Sequence, residues 1–183
     1  MSRVLVPLAQ GCEELEAITI TDLMVRAGID VVTAGLDDRP VLASRGTSIL
    51  PHTTLAAVAD EVFDMIVLPG GLPGADHLRD DATLQAMLKR HAEQGKTLGA
   101  ICAAPKALEK AGLLDGKTAT SFPGVLDALD NARITISNAA LEQDGNIVTS
   151  RGPGTAMDFA LRLIELLEGS ETMHKVEQSL VRD

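Results

Sequence analysis

Short apolar segments alternate with helical segments along most of the chain, and this alternation constrains the fold more than any other feature. The apolar segments read RVLVPLA, IDVVTAG, DMIVLPGG, KTLGAI and NIVTS. Strands that alternate with helices form βαβ units and a parallel sheet. Because the apolar residues are continuous, both faces of that sheet are expected to be covered. The sequence therefore predicts an α/β fold with a mostly parallel central sheet flanked by helices.

The helical segments follow the apolar segments in the order that this fold requires. Gly28 is predicted as the C-terminal glycine of the first helix. Short strands are predicted around a turn at Gly46 and over 117–122. No linker or repeat interrupts the sequence, so residues 1–183 are predicted to form a single domain. The predicted helices cover 13–28, 55–63, 81–94, 103–111, about 153–167 and 171–181.

The composition excludes several classes of protein. The chain has a net charge of −10, two cysteines, and no Trp or Tyr. Binding to nucleic acid needs a basic face or aromatic stacking platforms, and a membrane span needs ~20 apolar residues. We therefore expect no nucleic-acid or membrane partner. The N-terminal segment has no long apolar region typical of a secretory signal, and two distant cysteines suit a reducing cytoplasm.

Three segments are predicted to meet at one edge of the sheet. In open α/β sheets, ligands bind beyond the carboxyl ends of the strands. The loop 10–16, the turn that contains Gly70 and Gly71, and Cys102 all follow predicted strands. We therefore expect the functional site at this edge.

Cys102 is the main candidate for chemistry. It lies between a predicted strand and a predicted helix, which is where α/β enzymes place a nucleophile. A helix that begins at Ala103 would favour the thiolate, so we expect a thiol pKa well below ~8.5. The amides of Gly71 and Ala103 could then form an oxyanion hole. A buried cysteine that packs as a small apolar residue is an alternative that spacing alone leaves open.

Glu16 is the second candidate, because it extends an apolar stripe that continues with Ile20 and Leu23. A carboxyl group at the edge of the core has a raised pKa, and its protonated form can donate a hydrogen bond to a thiolate. Acidic residues also complement the positive end of a helix. This alternative is the preferred interpretation for Glu13 and Glu14, and it stays open for Glu16.

The other polar residues give weaker signals. His91 is predicted to be solvated, and His77 is a weak candidate for the site. No pair of residues has metal-ligand spacing, so no metal is predicted. Arg151 precedes a predicted helix start, where it would contact an anion or form a surface pair; both interpretations stay open. Gly70 is a further candidate for contact with substrate.

Several motifs together resemble one family. They are GCEELEA, DLMVRAGIDV, SRG at 44–46, VLPGG, AICAAP and TSRGPGTAMDFAL, and they span nearly the whole chain. The chain resembles the ThiJ/PfpI superfamily, in the branch of the parkinsonism-associated protein deglycase and the bacterial YajL-like proteins. The resemblance implies a flavodoxin-like sandwich that forms a homodimer. It also implies that Cys102 is the reactive nucleophile, that Glu16 is the protonated glutamate beside it, and that Gly71 and Ala103 supply backbone amides.

The resemblance also implies two classes of function. The first is a cofactor-independent glyoxalase or deglycase, which acts on methylglyoxal or on glycated protein. The alternative is a redox-sensing stress-response chaperone without physiologically important catalysis.

The chain departs from the family pattern at two positions. Phe122 stands where many relatives have a histidine, so turnover is expected to be slow. Ala103 stands where the peptidase branch has a histidine, so no peptidase activity is expected. Cys12 lies in the loop at the same sheet edge; it is interpreted as a passive thiol in preference to a resolving thiol.

Overall fold

A seven-stranded sheet forms the centre of this computed structural model, which describes residues 1–182. The strands are β1 (Arg3–Leu8), β2 (Asp30–Gly35), β3 (Val41–Leu42), β4 (Ser48–Ile49), β5 (Thr53–Thr54), β6 (Met65–Leu68), β7 (Thr97–Ile101), β8 (Thr118–Ala119), β9 (Thr135–Ile136), β10 (Leu141–Asp144) and β11 (Ile147–Ser150). The helices are α1 (Glu14–Arg26), α2 (Gly74–Asp80), α3 (Ala82–Glu93), α4 (Pro105–Lys110) and α5 (Ala156–Ser179).

The strand order confirms the predicted topology. The order is β10-β11-β7-β6-β1-β2-β5, and only β10 runs antiparallel to its neighbour. Five of the six parallel strands, β2-β1-β6-β7-β11, have the 2-1-3-4-5 order of the flavodoxin-like fold, and the two-residue strand β5 extends the sheet beside β2. The order reverses between β1 and β6, and such reversal points place a crevice at the carboxyl ends of the strands.

Apolar residues cover both faces of the sheet, as the continuous apolar segments predict. Val4 and Val6 of β1 belong to the core that includes Ile20 of α1 and Phe159 of α5. The intervening Leu5 points to the opposite core, which α2, α3 and α4 cover. Each fully buried apolar side chain contributes about 1.5–3 kcal/mol through removal from water, so the two cores together hold the sheet between two helical layers.

Several local predictions need correction. The helix predicted over 55–63 is a single 3-10 turn at Ala56–Val58. The strand predicted over 117–122 is reduced to β8, which pairs with β9 outside the central sheet. Helix α2 was not predicted because it begins directly after a Pro- and Gly-rich turn. Strand β10 was not predicted because an edge strand with the sequence LEQD lacks an apolar pattern.

Glycines mark the helix ends, as predicted. α1 ends at Arg26, and Gly28 adopts φ 78°, the left-handed conformation of a C-terminal glycine. The last helical stretch breaks at Gly169, where φ is 83°, so it consists of two helices as the sequence predicts. An ion pair of 2.6 Å between Arg182 and Asp158 shows that the second helix returns along the first.

His91 is buried, and the prediction that it is solvated is wrong. Its Nε2 accepts a hydrogen bond from the backbone N–H of Phe63 at 3.1 Å, so Nδ1 donates to the carbonyl of Met87 at 2.9 Å. Burial lowers the pKa of His91 and favours the neutral ring. His91 therefore joins α3 to the segment before β6. Phe63 lies too far away in the sequence for helical periodicity to indicate that His91 is buried.

Candidate active site

The predicted edge of the sheet brings three segments together. β6 lies between β1 and β7, so the chain segments that leave these strands are neighbours. The backbone N–H of Glu13 donates to the carbonyl of Gly70 at 2.9 Å, and the N–H of Gly70 donates to Oε2 of Glu16 at 2.8 Å. The prediction that these segments converge with Cys102 is confirmed.

Cys102 has a left-handed backbone conformation, with φ of 62°. This conformation is strained for a residue with a Cβ atom and persists only where the surroundings impose it. Here the N–H of Cys102 donates to the carbonyl of Ser150 at 3.0 Å, and its carbonyl accepts from the N–H of Phe122 at 2.8 Å. The two hydrogen bonds fix the turn, and the residue remains 9% exposed.

The turn after Cys102 differs from the predicted helix start. α4 begins at Pro105 and has only six residues, so a helix that begins at Ala103 is not present. The amides of Ala103 and Gly71 nevertheless act on the sulfur as hydrogen-bond donors that lower the thiol pKa. These two backbone amides, and not a long helix dipole, are the electrostatic support for a thiolate.

Glu16 is completely buried beside Cys102. Gly70 lies between the two side chains and is close to both. An added Cβ atom at Gly70 would lie 2.7 Å from Cβ of Cys102 and 2.8 Å from Oε2 of Glu16. Oε2 accepts the Gly70 amide, whereas the buried Oε1 has no hydrogen-bond partner among the described residues. Because a buried carboxylate oxygen without a donor is costly, Oε1 is the natural position for a proton.

Cys102 and Glu16 compete for one proton near neutral pH. Burial raises the pKa of Glu16 to about 7, although the Gly70 amide partly opposes the shift. Burial and the charge of an ionised Glu16 raise the pKa of Cys102 to about 12. The expectation of a low thiol pKa is therefore wrong while Glu16 is ionised. Cys102 is a thiolate at neutral pH only when the shared proton lies on Glu16. The observed pKa values therefore describe the Cys102–Glu16 pair and not either residue alone.

A pocket of about 280 Å³ opens over Cys102. Its base is formed by the cysteine and by the two residues whose amides face the sulfur. The rest of the lining contains polar and apolar residues. The polar residues, here called the polar wall, are Glu13, Ser44 and Arg45, and the apolar residues, here called the apolar wall, are Leu72, Phe122, Val125 and Pro153.

Glu13 lines this pocket, which the sequence analysis missed. Its carboxylate accepts a hydrogen bond from Oγ of Ser44 at 3.0 Å and lies 4.0 Å from Nε of Arg45. Glu14 accepts from the backbone N–H of Arg45 at 3.0 Å. The interpretation of both acidic residues as complements of the helix N-terminus is incomplete, because their side chains hold the β3–β4 turn beside the pocket. The SRG motif at 44–46 was the available signal.

The remaining candidates lie outside the pocket. Nη1 of Arg151 donates to Oδ1 of Asn138 at 3.1 Å, so Arg151 forms a surface pair. The positive charge that lines the pocket belongs to Arg45. His77 lies on α2 and lines a different cavity. Cys12 is fully buried, and burial raises the pKa of its thiol to about 11, which supports the passive interpretation.

Neither a metal site nor a membrane-spanning helix is found among the described residues. Within residues 1–182, no group of three or more His, Cys, Asp or Glu side chains is arranged to hold a metal ion. In the same part of the chain, no helix combines the length and the apolar character that crossing a membrane requires.

The sequence model of the DJ-1/PfpI family matches residues 2–166. The chain belongs to the DJ-1/PfpI family. Among curated relatives, protein dj-1beta of Drosophila melanogaster is 43% identical over 178 residues, which cover 97% of this chain and 95% of the relative. The glutathione-independent glyoxalase DJR-1.2 of Caenorhabditis elegans is 33% identical over 171 residues, with 93% of this chain and 91% of the relative covered.

Solved structures of DJ-1 proteins have the same fold. The crystal structure of Drosophila melanogaster DJ-1beta superposes with a TM-score of 0.96 at 42% identity and covers 100% of both chains. The structure named Toxoplasma gondii DJ-1, oxidized, has a TM-score of 0.94 at 41% identity and covers 99% of this chain and 98% of that one. The flavodoxin-like sandwich implied by the resemblance is confirmed. The chain spans less than half of DJ-1 homologues A and B of Arabidopsis thaliana, 46% and 41%. Assignment to the YajL-like branch stays a prediction.

Proposed function

We propose that this DJ-1/PfpI protein is a cysteine-dependent glyoxalase that converts methylglyoxal to lactate without a cofactor, and a deglycase that acts on early glycation adducts. The observation that carries the proposal is the buried Glu16 close behind Cys102, which forms the base of a pocket. The name of the Caenorhabditis elegans relative, a glutathione-independent glyoxalase, supports it. We place the reaction in the cytoplasm, where reducing conditions keep both thiols free.

The first step is attack of the Cys102 sulfur on the aldehyde carbon. A sulfur–carbon bond forms, and the π electrons of the carbonyl move to its oxygen. The amides of Gly71 and Ala103 stabilise the developing negative charge. Glu16 transfers its proton to that oxygen, which gives a hemithioacetal and leaves the glutamate ionised.

The second step moves a hydrogen from the aldehyde carbon to the ketone carbon. The ionised Glu16 removes the proton from the former aldehyde carbon, which leaves an enediolate with its charge on the former ketone oxygen. The proton of the hydroxyl on the sulfur-bearing carbon passes to that oxygen. Glu16 then gives its proton to the neighbouring carbon, and the electrons on the deprotonated oxygen form the thioester carbonyl. Water hydrolyses the thioester and releases lactate and the Cys102 thiol. The sum is methylglyoxal plus water to lactic acid, with no net oxidation.

Slow turnover is expected from the composition of the pocket. Among the described residues that line it there is no histidine, and Phe122 lines it at the position where the family resemblance implies one in many relatives. Glu16 must therefore act alone as both acid and base. A single group that serves both roles is correctly protonated for only part of each cycle, which limits the rate.

The same pair supports the alternative function, a redox-sensing stress-response chaperone. Oxidation of Cys102 to a sulfinate would place oxygens beside the carboxyl group of Glu16, whose Oε1 has no hydrogen-bond partner among the described residues. A protonated Glu16 would donate a hydrogen bond to one of these oxygens. The word "oxidized" in the name of the Toxoplasma gondii structure describes that protein and agrees with such chemistry in the family.

Lactate formation tests the proposal. Purified protein is incubated with methylglyoxal and a metal chelator, without glutathione or nucleotide, and lactate is followed by proton NMR. We expect slow lactate formation that Cys102→Ala abolishes and that the matched variant Cys12→Ala retains. Lactate from Cys102→Ala would contradict the proposal. If the wild-type protein makes none but suppresses client aggregation only after peroxide treatment, the redox function replaces it.

We also propose that the protein is a homodimer, with the outer face of α1 in the interface. Leu15, Ile18 and Val25 are each about half exposed or more and recur at helical spacing along α1. Light scattering coupled to gel filtration is expected to give twice the monomer mass of 19.2 kDa. Ile18→Lys should shift the protein toward the monomer, whereas Val62→Lys, at an exposed position outside α1, should not. A monomeric wild type would refute this assembly.

A further inference from the structure

The pocket is much larger than methylglyoxal, the smaller of the substrates proposed for it. Its volume of about 280 Å³ corresponds to roughly nine water molecules at ~30 Å³ each. Methylglyoxal has five non-hydrogen atoms and fills only part of this space. The unfilled part lies above Cys102, between the two walls of the pocket.

The apolar wall has the character of a binding surface. Phe122 is 48% exposed and Leu72 is 57% exposed, although both are large apolar residues. Together with Val125 and Pro153, they face the space above the sulfur. Covering such a surface with an apolar group of a ligand removes it from water and favours binding.

Phe122 is held in a fixed relation to the reactive sulfur. Its backbone N–H donates to the carbonyl of Cys102 at 2.8 Å. Its ring lies next to Gly152, where an added Cβ atom would be 3.4 Å from Cδ2 of the ring. The backbone of Phe122 is therefore tied to Cys102, and its ring lines the pocket beside Gly152.

We propose that the pocket selects α-oxoaldehydes whose carbonyl substituent is a branched alkyl or aryl group, and that Phe122 determines this specificity. The inference rests on the proposed function. The aldehyde carbon meets the sulfur, the aldehyde oxygen meets the amides of Gly71 and Ala103, and the substituent lies against Phe122, Val125 and Pro153. The covalent steps are those written for methylglyoxal, and the product is the corresponding 2-hydroxy acid.

The first experiment compares three substrates: methylglyoxal, isopropylglyoxal and phenylglyoxal. Product formation is followed by NMR to give kcat/KM for each. We expect at least a tenfold preference for the two larger substrates over methylglyoxal, because differences of this size follow from small changes in apolar contact. Phe122→Ala should reduce the preference by about tenfold, and Phe122→Leu should keep most of it. Leu50→Ala, which removes an exposed apolar side chain outside this pocket, is the matched control and should leave the preference unchanged.

The second experiment does not depend on turnover. Alkylation of Cys102 by iodoacetamide is compared with alkylation by N-benzyl iodoacetamide, which carries the same reactive group and an added apolar ring. We expect faster reaction with the benzyl compound in the wild type, and loss of that difference in Phe122→Ala.

The outcomes separate this inference from the proposed function. Equal kcat/KM values and equal alkylation rates would overturn the apolar specificity while lactate formation still supports the glyoxalase. Absence of any 2-hydroxy acid would contradict the glyoxalase and with it the substrate class. If no 2-hydroxy acid forms but Phe122→Ala abolishes a preference for the benzyl compound, the apolar wall still binds an apolar ligand. If no 2-hydroxy acid forms and the two alkylation rates are equal, the binding of an apolar ligand to this wall is refuted too.

Discussion

Glu16→Gln is expected to lower the rate of lactate formation by about 10²–10⁴-fold. Glutamine retains a side-chain oxygen that can accept the Gly70 amide, so the local structure is preserved. It cannot give a proton to the alkoxide or take one from carbon, so both proton transfers lose their catalyst. The rate is measured by lactate NMR, with Glu93→Gln on the exposed end of α3 as the matched control. A variant that keeps more than a tenth of the wild-type rate would contradict the role of Glu16.

The same substitution is expected to change the pH profile of Cys102. In the wild type, the pair loses its first proton with a midpoint of about 7, the raised pKa of Glu16. Above that pH, the form with a thiolate and a protonated glutamate is a constant fraction of the pair, so the alkylation rate rises through about 7 and then levels off. In Glu16→Gln the thiol titrates alone, and burial holds its pKa above that midpoint.

Alkylation with iodoacetamide between pH 5 and 10 measures this profile. We expect the midpoint of Glu16→Gln to lie above that of the wild type, at or beyond the ~8.5 of an ordinary thiol. Identical midpoints in the two proteins would show that Cys102 and Glu16 do not share a proton. A wild-type profile that rises without levelling off below pH 10 would lead to the same conclusion.

Gly71→Ala is expected to destabilise the protein by more than ~4 kcal/mol, which is exceptional for a single substitution. Gly71 has φ of 86°, and an added Cβ atom would lie 2.3 Å from the backbone nitrogen of Glu13 and 2.6 Å from the carbonyl carbon of Cys12. Neither backbone atom can move without displacing the start of α1 and, with it, Glu16. Urea denaturation measures the loss.

Gly95→Ala is the matched control for this substitution. Gly95 has φ of 70°, a similar left-handed strain, but an added Cβ atom there meets nothing within 4 Å. Its expected cost is roughly 1–2 kcal/mol, from backbone conformation alone. If Gly71→Ala costs no more than Gly95→Ala, the close approach between the two loops is not rigid.

Sequence patterns predict the features that depend on neighbours along the chain. The continuous apolar strands specify a sheet covered on both faces, and the place of Cys102 between a strand and a helical segment indicates a nucleophile. Glu16 is recognisable because it extends an apolar stripe. In each case the physical cause, either burial or chain direction, acts over a few residues and leaves a pattern that can be read directly.

The features that sequence patterns miss depend on partners far away in the chain. Glu13 is held by Ser44, 31 residues away, and His91 by Phe63, 28 residues away. The raised pKa of Cys102 results from burial and from a carboxyl group on another element. None of these environments exists until the fold has formed, so a polar residue in a helical pattern looks the same whether it is solvated or buried.

The two outer strands of the sheet also have a consequence for solubility. An exposed strand edge offers unpaired backbone groups to which another chain can add. β5, at one edge, has only two residues. At the other edge, the two carboxylates of β10 accept hydrogen bonds from neighbouring segments, Glu142 from Oγ of Ser137 and Asp144 from the backbone N–H of Thr118. Short length and coverage by other segments both disfavour pairing between sheets of separate molecules. The sheet is thus terminated at both ends in a way that opposes aggregation at high concentration.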